Sequence, residues 1–234
     1  ESKKEINVIV AGKTLEPRWL TPELAEKQVE EGVMMWDFAS DDNPDLVMTG
    51  IGDYPMKESM AAIDLLKQEK PDLRIRTVCI SALTSSGIGR GGYCMDRSEF
   101  DQIFTADKPV IFNFHGYPET MKAILFSYLH HPERFDIRGY VEEGSTTTPF
   151  DMHVRNKTSR YHLVMAAYDM LVKSGRVSQE EADAIHEKYE RMIAENTEYI
   201  KANGIDRPEL DAWVWPAARG QEVKQEEAWH GQTN

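Results

Sequence analysis

The feature that most constrains the fold of this chain is a regular alternation of short apolar runs with longer amphipathic stretches. Apolar runs of strand length occur at residues 46–52, 73–80, 109–114 and 135–141. Apolar residues at helical spacing occur between them, at residues 57–68, 96–104 and 120–129. Because strands that alternate with helices are typical of a parallel sheet covered by helices, this pattern predicts an α/β fold.

The C-terminal part of the chain predicts helices. Two consecutive helices are expected at residues 159–173 and 178–203. The second has signals at both ends, a capping box formed by Ser178 and Glu181 and a glycine, Gly204, just past its last residue. We therefore expect a three-layer α/β domain with C-terminal helices and a mostly parallel sheet of about five strands, of which one can be antiparallel.

The N-terminal region predicts an arm with a single helix. Residues 6–11 form an apolar run that suits a strand or an extended segment. A helix is then expected from Pro22 to Glu31, with Thr21 as its N-cap and Gly32 as its stop signal. We therefore expect residues 1–43 to form a linker or arm, and residues 44–234 to form the α/β domain with its helical extension.

Composition excludes several classes of partner. The chain has 27 Lys and Arg against 40 Asp and Glu, which gives a formal net charge of −13. Nucleic acids and anionic membrane surfaces repel such a surface on average, so neither is expected as a partner. The two cysteines, Cys79 and Cys94, cannot form a disulfide scaffold. These observations, together with the charged first residues, predict a cytoplasmic protein.

A glycine-rich segment at residues 87–92 matches the dinucleotide-binding pattern G-x-G-x-x-G. It follows a predicted strand, and Asp107 comes about 20 residues later, as the pattern asks. The pattern also requires its last glycine to open a helix, but Tyr93, Cys94 and Met95 intervene before the next helix. A surface loop is therefore the favoured interpretation, and nucleotide binding stays an alternative.

The chain shows little evidence of residues at the spacing of metal ligands. His130 and His131 are adjacent near a predicted helix end, where neighbouring side chains face different directions. Cys79 and Cys94 lack a second pair of soft ligands at the spacing that zinc sites require. We therefore expect no metal site in this chain.

The strongest predicted strand is followed by residues that are candidates for chemistry. His115, Gly116 and Tyr117 come directly after the run at residues 109–114. Residues just past the carboxyl ends of parallel strands line the crevice where ligands bind. His115 is thus a candidate acid, base or donor to a phosphate group. Residue types alone favour the alternative, a strand-end histidine that hydrogen-bonds the next loop.

The densest polar segment is residues 138–152, in which Arg138 leaves a predicted strand and acids and hydroxyls come after it. Consecutive hydroxyls beside a proline suit a rigid turn, and they also suit an oxyanion cradle. Residue types favour the turn, with Glu142 or Glu143 pairing with Arg138 or a backbone amide, and Asp151 capping the segment after it. The candidate ligand residues of the whole chain are His115, Tyr117, Arg138, Glu142, Glu143, Thr146 and Thr147.

Two long segments carry a resemblance to a known family. Residues 107–118 read DKPVIFNFHGYP, and residues 138–152 read RGYVEEGSTTTPFDM. Both closely resemble the C-terminal domain of xylulose 5-phosphate/fructose 6-phosphate phosphoketolase. Residues 6–13 resemble the linker that enters that domain, and residues 159–165 resemble its following helix.

The resemblance implies a transketolase-like fold and a dimeric thiamine-diphosphate enzyme. Such an enzyme splits xylulose 5-phosphate or fructose 6-phosphate with inorganic phosphate to acetyl phosphate, an aldose phosphate and water. The resemblance places thiamine diphosphate and Mg²⁺ in upstream domains of the same protein. The site for them needs a Gly-Asp-Gly motif, whereas this chain has only Gly52-Asp53-Tyr54.

The resemblance also implies that this chain holds no catalytic, cofactor-binding or metal-binding residue of its own. Alone it is expected to be inactive, and to serve structure, dimer contacts or the binding of a small anionic effector. Two alternatives stay open. One is a stand-alone regulatory domain that binds a nucleotide or an anion at the glycine-rich segment or at His115. The other is an interaction module whose tail, with Trp213, Trp215 and Trp229, packs on a partner.

Overall fold

A computed structural model of the chain describes residues 16–83, 88–90, 93–141, 143–144 and 146–216. The strands are β1 (Val33–Met35), β2 (Leu46–Ile51), β3 (Ile75–Ile80), β4 (Gly89–Arg90), β5 (Tyr93–Cys94), β6 (Val110–Phe114) and β7 (Phe135–Gly139). The α-helices are α1 (Pro22–Glu31), α2 (Asp53–Glu69), α3 (Arg97–Phe104), α4 (Pro118–Leu125), α5 (Pro149–Arg155), α6 (Arg160–Lys173), α7 (Gln179–Asn203) and α8 (Pro208–Asp211). Short 3₁₀ helices occur at Asp37–Ala39, Phe126–Tyr128 and Pro132–Arg134.

The main sheet has five strands in the order β1-β3-β2-β6-β7. Strand β2 pairs in parallel with β3 and β6, and β6 pairs in parallel with β7. Strand β1 pairs antiparallel with β3, from Val33 opposite Ile80 to Met35 opposite Val78. The predicted five-stranded, mostly parallel sheet with one antiparallel strand is therefore confirmed.

Apolar cores lie on both faces of the sheet because successive strand residues point to opposite sides. Leu46 and Met48 face a core that contains residues of α2, α6 and α7. Val47 and Ile51 face the other core, which contains residues of α3 and α4. All six residues of β2 are buried, which explains why this strand reads as a continuous apolar run. The three-layer α/β prediction is confirmed.

The helix ends follow the local signals in the sequence. The side chain of Thr21 caps α1, and Gly32 ends that helix in the left-handed conformation at φ 73°. Ser178 and Glu181 form both hydrogen bonds of a capping box at α7, and Gly204 ends it at φ 73°. None of the helices in the described ranges is long and apolar enough to cross a membrane.

Some elements differ from the prediction. Helix α2 begins at Asp53, four residues earlier than expected, because Gly52 takes a positive φ of 102° that ends β2 at once. Helix α5 was missed because it has only seven residues, with Pro149 at its first position. The predicted strand at residues 6–11 lies outside the described residues.

An aromatic cluster joins the two ends of the described chain. The Trp19 ring lies 6.1 Å from both the Trp36 ring and the Trp213 ring. Trp213 Nε1 donates to Asp64 Oδ2 at 2.8 Å, and Trp215 packs edge-on against Phe38. The structure therefore places Trp213 and Trp215, each partly buried, against the core of this same domain. Trp229 lies outside the described residues.

A buried ion pair joins α2 to α6. Glu58 and Arg160 are 0% and 4% exposed, and Arg160 Nη2 donates to Glu58 Oε1 at 2.7 Å. Arg160 Nε and the Arg160 backbone N–H both donate to Glu58 Oε2, at 3.0 and 2.7 Å. Burial alone would raise the pKa of Glu58, but the Arg160 charge and these hydrogen bonds outweigh it and lower that pKa. Glu58 thus serves both as counter-ion and as the cap of α6.

We expect Glu58→Gln to lower the free energy of unfolding of the chain by about 3–5 kcal/mol, because it leaves a buried guanidinium without its counter-charge. Urea denaturation followed by tryptophan fluorescence measures this loss.

The matched control is Glu198→Gln, since Glu198 forms an exposed ion pair with Lys201 at 2.7 Å. That substitution should change the unfolding free energy by less than about 0.5 kcal/mol. A Glu58→Gln chain that unfolds within about 1 kcal/mol of the parent, as an exposed pair would, contradicts the assigned role.

Candidate functional site

The order of the strands places a crevice between β2 and β6. The chain passes from β2 through α2 to β3 on one side, and then crosses to β6 on the other side of β2. Helix α2 covers one face of the sheet and α3 covers the other. In such sheets ligands bind outside the carboxyl ends of the strands, at the point where the strand order reverses.

Asp53 and His115 meet at this crevice. Asp53 opens α2 just after β2, and His115 follows β6. His115 Nδ1 lies 3.4 Å from Asp53 Oδ1, and the two side chains are 46% and 48% exposed. A Cβ atom at Gly52 would lie 2.7 Å from His115 Cβ, so only glycine permits this approach.

Aromatic rings from three segments converge behind this pair. The Tyr54 and His153 rings stack at 4.2 Å with an angle of 5° between their planes. The Tyr140 ring lies 5.7 Å from the His115 ring and 5.4 Å from the His153 ring. The crevice therefore has an aromatic inner wall and a half-exposed acid and imidazole at its mouth.

A buried polar network supports the wall. His153 Nδ1 lies 2.8 Å from Thr158 Oγ1, and Asn113 Nδ2 donates to the carbonyl oxygens of Pro55 and Thr158. Asn113 Oδ1 is buried and has no hydrogen-bond partner among the described residues. Burial lowers the pKa of His153 to about 4, so its imidazole is neutral at physiological pH.

Tyr117 lies at the rim of the crevice with 54% of its surface exposed. Its segment is fixed by the hydrogen bond from Tyr140 N to Gly116 O at 2.9 Å. A Cβ atom at Gly139 would lie 2.3 Å from Gly116 O, which explains the glycine at the end of β7. His115 and Tyr117 thus lie at one edge of the sheet.

The Arg138 side chain forms its hydrogen bonds with other residues of this domain. Its Nε donates to Asp136 Oδ2 at 2.8 Å, and its Nη1 donates to Lys157 O at 2.7 Å. The expected pairing of Arg138 with Glu142 or Glu143 is thus replaced, among the described residues, by Asp136. Glu142 lies outside the described residues. Glu143 borders a separate hollow of about 250 Å³ beside Arg155.

The threonines that precede α5 form hydrogen bonds at the start of this helix. Thr147 Oγ1 donates to Asp151 Oδ2 at 2.8 Å, and Thr148 Oγ1 donates to Asp206 Oδ1 at 2.7 Å. Asp206 Oδ2 accepts the Phe150 backbone N–H at 3.0 Å, so Asp206 caps this helix from a distant loop. The prediction that Asp151 is a cap is wrong, because Asp151 lies within α5 and binds Arg155. These contacts favour the turn interpretation over an oxyanion cradle, and Thr146 borders an open hollow at residues 200–211.

The glycine-rich segment forms a hairpin where the structure describes it. Gly89 pairs with Cys94 and Arg90 pairs with Tyr93 in an antiparallel ladder. A dinucleotide-binding turn instead leads from a strand directly into a helix. The remaining glycines of the pattern, Gly87 and Gly92, lie outside the described residues.

Cys79 and the metal candidates show no reactive arrangement in the described part of the chain. Burial raises the pKa of the Cys79 thiol to about 12, which keeps it protonated and unreactive. Within the described ranges no cluster of three or more His, Cys, Asp or Glu side chains has the geometry of a metal site.

Comparison with known proteins decides the family. The family model "XFP C-terminal domain" matches residues 13–215. The chain belongs to the XFP C-terminal domain family. This confirms the resemblance found in residues 107–118 and 138–152.

Relatives of this XFP C-terminal domain carry the name "Probable phosphoketolase". The protein of that name from Brucella abortus (strain 2308) is 40% identical over 214 residues, which are 90% of this chain and 26% of the relative. "Probable phosphoketolase 1" from Rhizobium meliloti (strain 1021) is 38% identical over 220 residues, 92% of this chain and 27% of the relative. The chain therefore spans about a quarter of the length of these relatives.

Among solved structures, the chain is similar to a transketolase from Campylobacter jejuni. The match has a TM-score of 0.40 and 14% sequence identity, and it covers 60% of this chain and 19% of the transketolase. The fold class of this XFP C-terminal domain rests on its own strand order.

Sequence reasoning missed the crevice residues Asp53, Tyr54, Tyr140 and His153. A local signal existed for Asp53, because a Gly-Asp pair directly after a buried strand marks a carboxylate at the edge of the sheet. No comparable signal marked His153, since its helix α5 was itself not predicted. Its place in the wall depends on contacts with Tyr54 and Thr158 that link separate elements.

The depressed pKa of His153 predicts acid sensitivity. An unfolded histidine binds a proton near pH 6.5, whereas folded His153 does so only near pH 4. Between these values the unfolded state binds more protons, so acidification favours unfolding. We expect His153 to remove about 2 kcal/mol of stability between pH 7 and pH 5, and little above pH 7.

Urea denaturation at pH 7 and pH 5 measures this effect in the parent chain and in His153→Gln. The variant should be less stable at pH 7 but should show a shallower loss on acidification. His131→Gln is the matched control, because the His131 side chain is 66% exposed. Equal pH dependence in His153→Gln and the parent would show that His153 titrates as an exposed residue.

Proposed function

We propose that this chain is the C-terminal domain of a phosphoketolase, which cleaves xylulose 5-phosphate, fructose 6-phosphate or both with inorganic phosphate. The products are acetyl phosphate, an aldose phosphate and water. The single observation that carries this proposal is the family match over residues 13–215, supported by relatives named phosphoketolase. Because the chain spans about a quarter of those relatives, the activity is proposed for the whole protein.

Thiamine diphosphate and Mg²⁺ belong to upstream domains in this proposal. The nearest sequence to the required motif is Gly52-Asp53-Tyr54. Asp53 Oδ1 accepts the Tyr54 backbone N–H at 2.7 Å and lies beside His115, so it is occupied at the start of α2. These residues do not fit a metal–diphosphate site, and the domain itself is proposed to be non-catalytic.

The domain is proposed to contribute structure and subunit contacts to a cytoplasmic dimer. The apolar cores on both faces of the sheet hold the helices and strands together as one rigid domain. Such a domain can pack on neighbouring domains. The unreactive Cys79 suits a reducing compartment.

The activity proposal is tested with the full-length protein encoded by the same gene. With xylulose 5-phosphate, inorganic phosphate, thiamine diphosphate and Mg²⁺, it should form acetyl phosphate, detected as the hydroxamate. The chain of residues 1–234 alone should form none under the same conditions.

Omission of inorganic phosphate is the control, since the reaction consumes it. A full-length protein without acetyl phosphate formation would refute the assignment of the activity. Product formed by the 234-residue chain alone would refute the assignment of the catalytic site to other domains.

A role in effector binding is a second proposal, and one observation favours it. His115 stands half-exposed at the crevice where such folds bind ligands, and its ring can donate to an anion. Arg138 and Thr147 are engaged within the fold, whereas His115 and its neighbour Tyr117 are exposed at this edge of the sheet.

Titration calorimetry of the full-length protein with inorganic phosphate and with fructose 6-phosphate tests the effector role. The titrations are carried out without thiamine diphosphate, and the heat of binding measured under that condition is compared between variants. His115→Asn should weaken that binding about tenfold, which is the loss of one hydrogen bond. The matched control is His130→Asn, and equal affinities for the parent and His115→Asn would contradict the proposal.

A further inference from the structure

We propose that the crevice binds a doubly charged anion only together with a proton, which His115 takes up from solvent while Asp53 faces its other ring nitrogen. This inference rests on the proposed effector role of the domain in a phosphoketolase. It deepens that role by naming the class of ligand, a phosphate group, and by making its binding depend on pH.

The position of Asp53 decides which ring nitrogen of His115 carries the proton. Asp53 Oδ1 lies 3.4 Å from His115 Nδ1. The same oxygen accepts the Tyr54 backbone N–H at 2.7 Å, which holds the carboxylate at the start of α2. A neutral imidazole has one N–H, and the opposite tautomer would turn a lone pair of Nδ1 toward the carboxylate. In neutral His115 the proton is therefore on Nδ1, and Nε2 is an acceptor.

The backbone and an aromatic neighbour keep the imidazole in this orientation. The His115 backbone N–H donates to Ile51 O at 2.9 Å, which ties the end of β6 to the end of β2. The Tyr140 ring packs edge-on against the His115 ring, with 5.7 Å between the ring centres and 78° between their planes. The distance between the acid and the imidazole is thus set by the fold.

A dianion cannot bind well to the neutral ring. A phosphate dianion has acceptor oxygens and no proton to donate to Nε2. Imidazolium has an N–H on both nitrogens, so this form can donate to the anion while Nδ1 faces Asp53. The bound anion and the bound proton therefore stabilise each other, and this coupling is reciprocal.

The aromatic wall behind His115 does not compete for the proton. The His153 ring lies 6.3 Å from the His115 ring, but burial lowers the pKa of His153 to about 4, so it stays neutral at pH 6 and above. Tyr54 and Tyr140 contribute phenol rings, and burial raises the pKa of Tyr54 well above its usual range. His115 is thus the group of this crevice that can change its charge near neutral pH.

Charged side chains on the neighbouring helices have partners of their own. They form the pairs Lys57–Glu16, Glu58–Arg160 and Lys122–Glu119. In the described part of the chain, Asp53 is the charged group that pairs with His115. The pair is half-exposed, which leaves Nε2 accessible to a compact anion. A phosphate group is the anion that the proposed reaction brings to this protein, as inorganic phosphate or as a sugar phosphate.

Titration calorimetry of the full-length protein tests the coupling, in the absence of thiamine diphosphate. Sulfate is the first probe because it stays a dianion over this range of pH, whereas a phosphate group itself gains a proton near neutral pH. Titrations at pH 6, 7 and 8, in buffers of different ionisation enthalpy, give the number of protons taken up per sulfate. Between pH 7 and pH 8 the Kd should rise about tenfold, with an uptake that approaches one proton.

Two variants separate the roles of the pair. His115→Asn should bind sulfate about tenfold more weakly at pH 6 and take up no proton. Asp53→Asn should still bind sulfate but lose most of the pH dependence, because an amide can donate to Nδ1 and leave the N–H of neutral His115 on Nε2. Glu119→Gln is the matched control, since it removes a 72% exposed carboxylate from the next helix. It should keep the proton uptake of the parent.

Inorganic phosphate and fructose 6-phosphate, titrated at pH 6, distinguish the two sources of the phosphate group. Only the binding that His115→Asn removes is assigned to the crevice, because other domains can also bind anions. Tighter binding of fructose 6-phosphate assigns the crevice to a sugar phosphate, and tighter binding of inorganic phosphate assigns it to the free ion.

Two results would overturn the inference. One is equal sulfate affinity in the parent and in His115→Asn at pH 6. The other is binding that depends on His115 but takes up no proton at pH 8. Acetyl phosphate formation is assayed on the same sample. An inactive protein that binds sulfate with a proton refutes the proposed activity alone, and an active protein whose sulfate binding is independent of pH refutes this inference alone.

Discussion

The buried Glu58–Arg160 pair is the constraint on which the arrangement of the helices depends. A single carboxylate neutralises a guanidinium and caps α6, so α6 can dock on α2 in one position only. The same guanidinium lies 5.5 Å from the Phe150 and Trp213 rings, which belong to α5 and to the segment after α8. This ion pair is therefore in contact with α2, α5, α6 and the segment after α8 on one face of the sheet.

Residues close to this ion pair in the sequence set the shape of the crevice. Tyr54 lies four residues before Glu58 on α2, and Thr158 lies two residues before Arg160. The Tyr54 ring and the Thr158 hydroxyl hold His153 in the wall, behind Asp53 and His115. The geometry at the carboxyl ends of the strands is thus set by contacts beneath it, and the exposed pair at the mouth can meet a ligand or a neighbouring domain.

Local signals sufficed for much of the fold. The caps Thr21 and Ser178 and the glycines Gly32 and Gly204 placed their helix ends correctly because capping depends on neighbouring residues. Strand β1 and helix α5 were not predicted, because three and seven residues are too few to show a strand or helix periodicity. Whether such short segments form depends on pairing or capping by residues distant in the sequence. The same limit applies to the site: His115 followed from strand order, whereas its partner Asp53 and the cap Asp206 depend on contacts between remote parts of the chain.

The tryptophan contacts have a consequence for how such a unit sits in a longer polypeptide. Because the Trp19 and Trp213 rings lie 6.1 Å apart, the first and last described stretches of the backbone lie side by side. Units with neighbouring attachment points can be inserted, appended or exchanged during evolution without stretching their surroundings. Detachment of either end would also expose the aromatic side chain of the other end to solvent. Local unfolding of the two ends is therefore coupled.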